Sequence, residues 1–524
     1  MDTTTRRRGV FLTPLPFAKK ALEYLDKTLG KHWWHAGNYR LWDMAAGTGH
    51  LELFLPKDFL PYCYLSTLEK KDVQHLEKEF PSATVFQYDY LNDDENKMPE
   101  SLRQDLANPA IKWIILVNPP YATAQEAGLK GTSKEGVSDT RIRRQMHADG
   151  LGEVSRELYV QFLYRMMHEF QERETLLGLF SPIKYLVSTN YQKFRDNVFH
   201  AAFQSGFIFS SENFGGTSKT SHFPVAFILW NIRTKNVKKL ELDILDNTAQ
   251  KIGIKTLQPA NRDDFLSRWI KRPRGTSIFP PFGSALTIKS NNADTRNRIA
   301  EGFLASLMCP GNEMQNQQQT AFLSGPQVSA GALSVTPENF EQAVVVFAAR
   351  RIPKDTWVNH VDQLLRPNRK LAPEFVADCA VWSLFDSKNQ TVALRSVMYQ
   401  GKIYQVANHF FPFSIAEVRE WLENGEPTQC NSFVTYWLSQ QKLSTESQKV
   451  LTIAKAVYRF YFAHLHLLRR EQFKIETYDA GWYQIRQALL DANLGGDLLA
   501  DLKHRHELLK EKILPFLCDY GIVR

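Results

Sequence analysis

A doubly covered α/β sheet, followed by an α+β region with a helical end, is what the 524-residue sequence predicts. Three observations carry this. Short apolar runs recur through the first 234 residues, and the clearest is Trp113-Ile-Ile-Leu-Val117, β-branched and closed by prolines, as in a strand buried on both faces. Stretches of helical period lie between the runs, Leu158 to Phe170 being the best example. Beyond 234 the rhythm changes: Val392 to Phe413 reads as strands, whereas Thr445 to Leu468 and Asp497 to Leu514 read as helices. Two domains are therefore expected, at 1–234 and 235–524, with a helical subdomain from about 440.

In chain order, Thr13 and Pro14 suit a helix start that runs on through Ala18 to Leu29. Arg40 to Asp43 is a first strand, and Gly47 and Gly49 in the turn after it would let the backbone approach a ligand, opening a helix at about Leu51. No Gly-Lys-Ser/Thr follows and the spacing is not Gly-x-Gly-x-x-Gly, so neither a P-loop nor a dinucleotide fingerprint is present. A second strand, Tyr62 to Glu69, ends in an acid about 20 residues after the glycines, where a carboxylate meets ribose hydroxyls. A third, Thr84 to Tyr90, carries Asp89 at its end, able to accept from an adenine amino group. Residues 122–155 are polar, with Arg141, Arg143 and Arg144, and read as a mobile loop whose arginines could meet phosphates. Leu176 to Pro182 is a fifth strand, followed by a helix through about Ala202. Phe207 to Ser211 and Phe223 to Ile232 form a strand pair, and the sheet ends near Arg233.

The central stretch is Asn118-Pro119-Pro120-Tyr121, at the end of the Trp113 run. Ligands of open α/β sheets bind at the carboxyl ends of strands. An asparagine oxygen and a proline-flanked carbonyl can both accept from one amino group. Tyr121 offers a ring for a planar base, and two prolines stiffen the loop. Any one of Asp43, Glu69, Asp89 and Asn118 could be an ordinary loop residue. Four in order at successive strand ends describe a site.

Composition narrows the classes. Hydrophobic residues make up 43% and charged residues 23%, as in globular proteins, and no apolar run is long enough to span a membrane. The five cysteines show neither disulfide nor zinc spacing, so no metal is expected and a cytoplasmic location fits. Residues 1–234 hold 28 Lys+Arg against 27 Asp+Glu, leaving 36 against 29 for the rest. Of the +8 net charge, +7 therefore lies in the second half, where a polyanion partner is expected. Arg268 to Gly275 and Arg350 to Lys370 are basic there, interleaved with Trp269 and Trp357, and Gln315 to Gln319 reads as loop.

Together Asp-Met-Ala-Ala-Gly-Thr-Gly at 43–49 and Asn-Pro-Pro-Tyr at 118–121 make residues 11–233 resemble gamma-class S-adenosylmethionine-dependent DNA N6-adenine methyltransferases. The resemblance implies a Rossmann-like methyltransferase sheet followed by a target-recognition region, with S-adenosylmethionine as cofactor and double-stranded DNA as partner. It implies that Thr13 and Pro14 lie near the methionine carboxylate, and that Asp43, Ala45, Gly47 and Gly49 line the methionine portion. Glu69 would meet the ribose, and Asp89, Tyr90 and Phe162 the cofactor adenine, with Asn118 close by. Asn118, Pro119, Pro120 and Tyr121 would hold a flipped target adenine, with Phe214 or its rival Phe223 as the second aromatic. The alternatives are an RNA adenine or protein-glutamine methyltransferase, and a non-catalytic DNA-binding specificity protein. Few residues precede Phe11 and no Asp…Glu-x-Lys site is evident after 235, so a restriction nuclease, if any, is expected on a separate chain.

Overall fold

The computed structural model describes residues 12–122, 139–214, 222–233, 239–258, 260–289, 297–327, 331–422 and 430–523. Two compact units emerge: Met1–Ala260 with Thr356–Val361, and Asn261–Asp355 with Asp362–Arg524.

The first unit is built on one nine-stranded sheet: β1 (Tyr39–Asp43), β2 (Cys63–Thr67), β3 (Thr84–Gln87), β4 (Lys112–Val117), β5 (Thr175–Pro182), β6 (Ala202–Ser210), β7 (Pro224–Asn231), β8 (Leu240–Leu245) and β9 (Lys251–Leu257). Its order is β3-β2-β1-β4-β5-β7-β6-β8-β9. Strands β3 to β5 run parallel, and β7 lies antiparallel between β5 and β6. This is the Rossmann-like sheet expected from the sequence. Side chains alternate between its faces as the strand period demands. Leu41, Ile114 and Leu116 enter one core, with residues of α1 (Leu15–Leu29). Trp42, Trp113, Ile115 and Val117 enter the other, where Phe162 and its helical neighbours pack. The chain moves from β1 to β2 on one side, whereas β4 lies on the other. The ends of β1 and β4 therefore border a topological switch point, where a crevice forms.

Several expectations need correction. The sheet does not end near Arg233. Strands β8 and β9 extend it, and the unit runs to Ala260. Their alternating pattern leaves Ile252 and Ile254 exposed at the edge, which hides them from a search for buried runs. No long helix opens at Leu51. Only a 3₁₀ turn, Glu52–Phe54, forms, because Pro56 lacks an N–H and holds Leu55 extended. The helix expected after β5 is two short pieces, Lys184–Val187 and Gln192–Asn197. Residues 139–155 are not a loop, because Thr140 caps a helix over Arg141–Ala148 that buries Ile142 and Met146. The rest of that expected loop, 123–138, lies outside the described residues, as do 215–221.

The second unit is α+β, with a four-stranded sheet and one helical core built largely from Phe340–Arg351, Pro373–Phe385, Thr445–Ala463, Trp482–Asp491 and Gly496–Asp519. Of the stretch Val392 to Phe413, expected as strands, Leu394–Tyr399 and Lys402–Val406 pair antiparallel, and 314–319 is a 3₁₀ helix rather than loop. Part of the basic sequence is structural. Arg350 is buried and donates to Thr320 Oγ1 and to the carbonyls of Pro310 and Gly311. Arg351 pairs with Asp386. Trp357 belongs to the first unit and packs on its core. Among the described residues, no helix is long and apolar enough to cross a membrane.

Candidate active site

A cavity of about 390 Å³ opens beyond the carboxyl ends of β1 to β4. Its wall includes Thr13, Asp43, Ala45, Gly47, Glu69, Asp89, Tyr90, Asn118, Pro120 and Phe162. Nine of the eleven residues expected to hold a cofactor therefore line one space. Pro14 and Gly49 are not in the wall.

The two glycines do different work. Both have positive φ, +55° at Gly47 and +79° at Gly49. A methyl group on Gly47 would meet nothing closer than 3.9 Å, whereas on Gly49 it would reach Phe80 at 2.3 Å and Leu76 at 2.9 Å. Gly49 thus permits the turn to pack on the helix Lys70–Glu79 (α2), not the approach of a ligand.

Asp43 ends β1, is 1% exposed, and accepts from the Ala45 N–H at 2.7 Å. Behind it lies Glu52, also 1% exposed, whose oxygens meet no ordinary donor. Burial pushes the Asp43 carboxyl up to about 7 and holds Glu52 well above its ordinary value, with the Asp43 charge adding to the rise. Two carboxylates can meet there only with a proton held between them, and burial favours that protonated form. The native chain therefore binds protons that the unfolded chain releases above pH 4. Stability from these groups is full below that pH and is lost as pH rises through 7. Glu52→Gln keeps a neutral donor to Asp43 and removes the proton. Its unfolding free energy, from denaturant titrations, should gain on wild type between pH 5 and pH 8, at up to about 1.4 kcal/mol per pH unit for one proton. Parallel curves across that range would contradict the shared proton.

Glu69 follows β2 and precedes α2, so the strand end presents it to the cavity. Asp89 shapes its own turn: its carboxylate accepts from the Leu91 and Asn92 backbones at 3.0 and 3.2 Å and from Asn92 Nδ2 at 2.8 Å. Its remaining lone pairs leave room for a ligand donor. Tyr90 is held from behind by the Arg165 guanidinium, 4.4 Å from its ring centre, and beside it Phe162 packs at 5.1 Å. The two rings give the cavity a flat apolar end.

Asn118 joins the cavity to the aromatic side. Its Nδ2 donates to Thr13 Oγ1 at 2.9 Å, and its Oδ1 accepts from the Tyr121 hydroxyl at 2.7 Å. Pro119 is buried and Pro120 faces the cavity. Tyr121 meets Phe214 edge to face at 6.0 Å, and Phe214 is 2% exposed. Phe223 instead packs on the core beside β7 and is bonded through its backbone to Ser211. Of the two rivals, Phe214 is the one in ring contact with Tyr121.

No family model matches the chain, and no curated protein matches it. Three solved structures are distantly similar. A cryoEM structure of a DrdV–DNA complex shows 17% identity over 60% of this chain and 36% of that one, TM-score 0.36. The M protein of the type I restriction enzyme EcoKI shows 12% over 45% and 48%, TM-score 0.29. The type IIL restriction-modification enzyme MmeI in complex with DNA shows 9% over 98% and 77%, TM-score 0.34. This chain spans less than half the length of the first two. Similarities this low leave the site itself as the ground for function.

The arginines expected to meet phosphates are partly committed. Arg141 donates to the Asp93 carbonyl at 2.9 Å and tethers its helix to the Asp89 turn, while Arg144 pairs with Asp139 at the surface. Arg143 lies half-buried on the same helix. Sequence reasoning did not reach His50, Glu52, Asp72 or Thr140. His50 and Thr140 are in the wall, and His50 Nδ1 bonds the Thr13 carbonyl at 2.8 Å. His50 adjoins Gly49, a position that could have flagged it. Glu52 gives no signal in sequence, because its burial follows from the break at Pro56.

Proposed function

We propose that the chain is a site-specific DNA adenine-N6 methyltransferase using S-adenosylmethionine. The observation that carries the reading is the joining, through Asn118, of a cavity at the strand ends to an aromatic contact outside it. The cavity's donor set fits the cofactor. A flat apolar end at Tyr90 and Phe162 suits adenine, Glu69 suits vicinal hydroxyls, and Asp43 with the turn Ala45–Gly47 suits a cationic amino-acid portion. When bound, the cofactor supplies an electrophilic methyl group on a cationic sulfur.

The chain's own residues supply position. Asn118 Oδ1 and the Pro119 carbonyl accept from the target amino group and turn its lone pair toward the cavity. Tyr121 stacks on the base, recovering part of the cost of unstacking it from the duplex. No residue is assigned as a base, since the amino proton can leave after its nitrogen has gained the methyl. Positioning of this kind accounts for most of the acceleration.

The second unit is assigned to target recognition, supported by its net charge: of the +7 excess of residues 235–524, +2 lies in residues 235–260 of the first unit and +5 in the second. Arg366, Arg369 and Lys370 are exposed, although Arg366 also pairs with Asp264. Replacing all three with alanine should weaken DNA binding across sequences and flatten its dependence on salt. Equal affinity and equal salt slope would remove that surface from the account. The function itself is tested by methyl transfer from labelled cofactor into DNA, RNA and total protein. Label in DNA supports the reading, and label confined to RNA or to glutamine in protein replaces it.

A further inference from the structure

The resemblance assigns Thr13 to the cofactor carboxylate, yet in the structure its hydroxyl is 2.9 Å from Asn118 Nδ2. Thr13 is 3% exposed, and the contact with half-buried Asn118 lies in the cavity wall. Thr13 does not cap the helix it precedes. Pro14 holds the cap position of α1 without a side-chain bond, leaving the hydroxyl for another partner. The backbone of Thr13 is fixed separately, through its carbonyl and His50 Nδ1 at 2.8 Å. The threonine is thus anchored to the glycine turn on one side and to the asparagine on the other.

The opposite end of the Asn118 amide faces Tyr121, whose hydroxyl lies 2.7 Å from Oδ1. Burial holds that phenol well above its ordinary value, so it keeps its proton and can donate. An asparagine amide can be turned by half a rotation, exchanging its oxygen and nitrogen. Turned the wrong way, it would present N–H groups to a target amino group, donor against donor.

We propose that Thr13 is a positioning residue: its hydroxyl, bonded to Asn118 Nδ2, anchors the amide so that its far end, Oδ1, stands toward the target side. The Tyr121 hydroxyl stands where the target amino group would arrive, and it is displaced when that group enters. The proposal rests on the methyltransferase reading and deepens it. It moves Thr13 from cofactor affinity to turnover.

Three variants test it. Thr13→Val keeps the shape and removes the acceptor, and Thr13→Ser restores it. With Thr13→Val, single-turnover methyl transfer at saturating cofactor should fall at least about tenfold, while the cofactor Kd by calorimetry changes less than threefold. Thr13→Ser should recover most of the rate. A readout without cofactor comes from melting temperatures of Thr13→Val, Asn118→Ala and the double variant, where removing the second partner should cost little once the first is gone. A rise in cofactor Kd with normal saturated turnover overturns the proposal and restores Thr13 to the cofactor. Additive melting shifts also overturn it. An inactive wild type on every amino substrate brings down the underlying reading, whereas an active wild type with an indifferent Thr13→Val brings down this proposal alone.

Discussion

Asn118→Ala is expected to lower methyl transfer by roughly 10²–10³-fold, the scale seen when one preorganised polar contact to the reacting group is removed. The asparagine lies where the cavity meets the aromatic side, and in the proposed mechanism its Oδ1 accepts from the incoming amino group. Cofactor affinity should change little, because Glu69, Asp89 and the Tyr90–Phe162 end remain. The variant should fold: Asn118 is only half-buried, and the prolines that stiffen the loop are untouched. Calorimetry with S-adenosylmethionine, run beside single-turnover transfer, separates the two effects. Turnover near wild type would sink the mechanism.

Glu69→Ala should do the reverse. A carboxylate accepting from two hydroxyls makes charge-assisted bonds of about 1.5–3 kcal/mol each, so cofactor Kd should rise about 10²–10⁴-fold. At saturating cofactor the transfer rate should stay within a few-fold of wild type, since Glu69 lies at the end of β2 and Asn118 at the end of β4. Glu69→Gln, which keeps an acceptor oxygen, should fall between the two. An unchanged Kd for the alanine variant would take Glu69 out of the ribose role.

Much of this site was legible because strand ends announce themselves. Asp43, Glu69, Asp89 and Asn118 each follow a short apolar run, and parallel strands bring such ends to one edge. Glu52 was illegible for the complementary reason. Its burial depends on a turn that stops short at Pro56 and folds the acid behind Asp43. The helix Arg141–Ala148 was misread because only Ile142 and Met146 face the core, too few to show a period among three arginines. Strands β8 and β9 were missed because the sheet edge exposes apolar residues that a buried strand would cover. The pairing of Thr13 with Asn118 spans 105 residues, and no local pattern could reveal it. In the second unit the positive charge was visible, but sequence could not tell which arginines fold inward, as Arg350 does.

The central claim is that the group methylated is the exocyclic amine of adenine in DNA. Unmodified duplex DNA should be incubated with the protein and S-adenosylmethionine, digested to nucleosides and analysed by mass spectrometry. The account predicts N6-methyladenosine's deoxy form as the product, formed at a restricted set of sites and absent with Asn118→Ala. Methylated cytosine instead, or no methylated deoxynucleoside while RNA or protein in the same reaction is methylated, would contradict it.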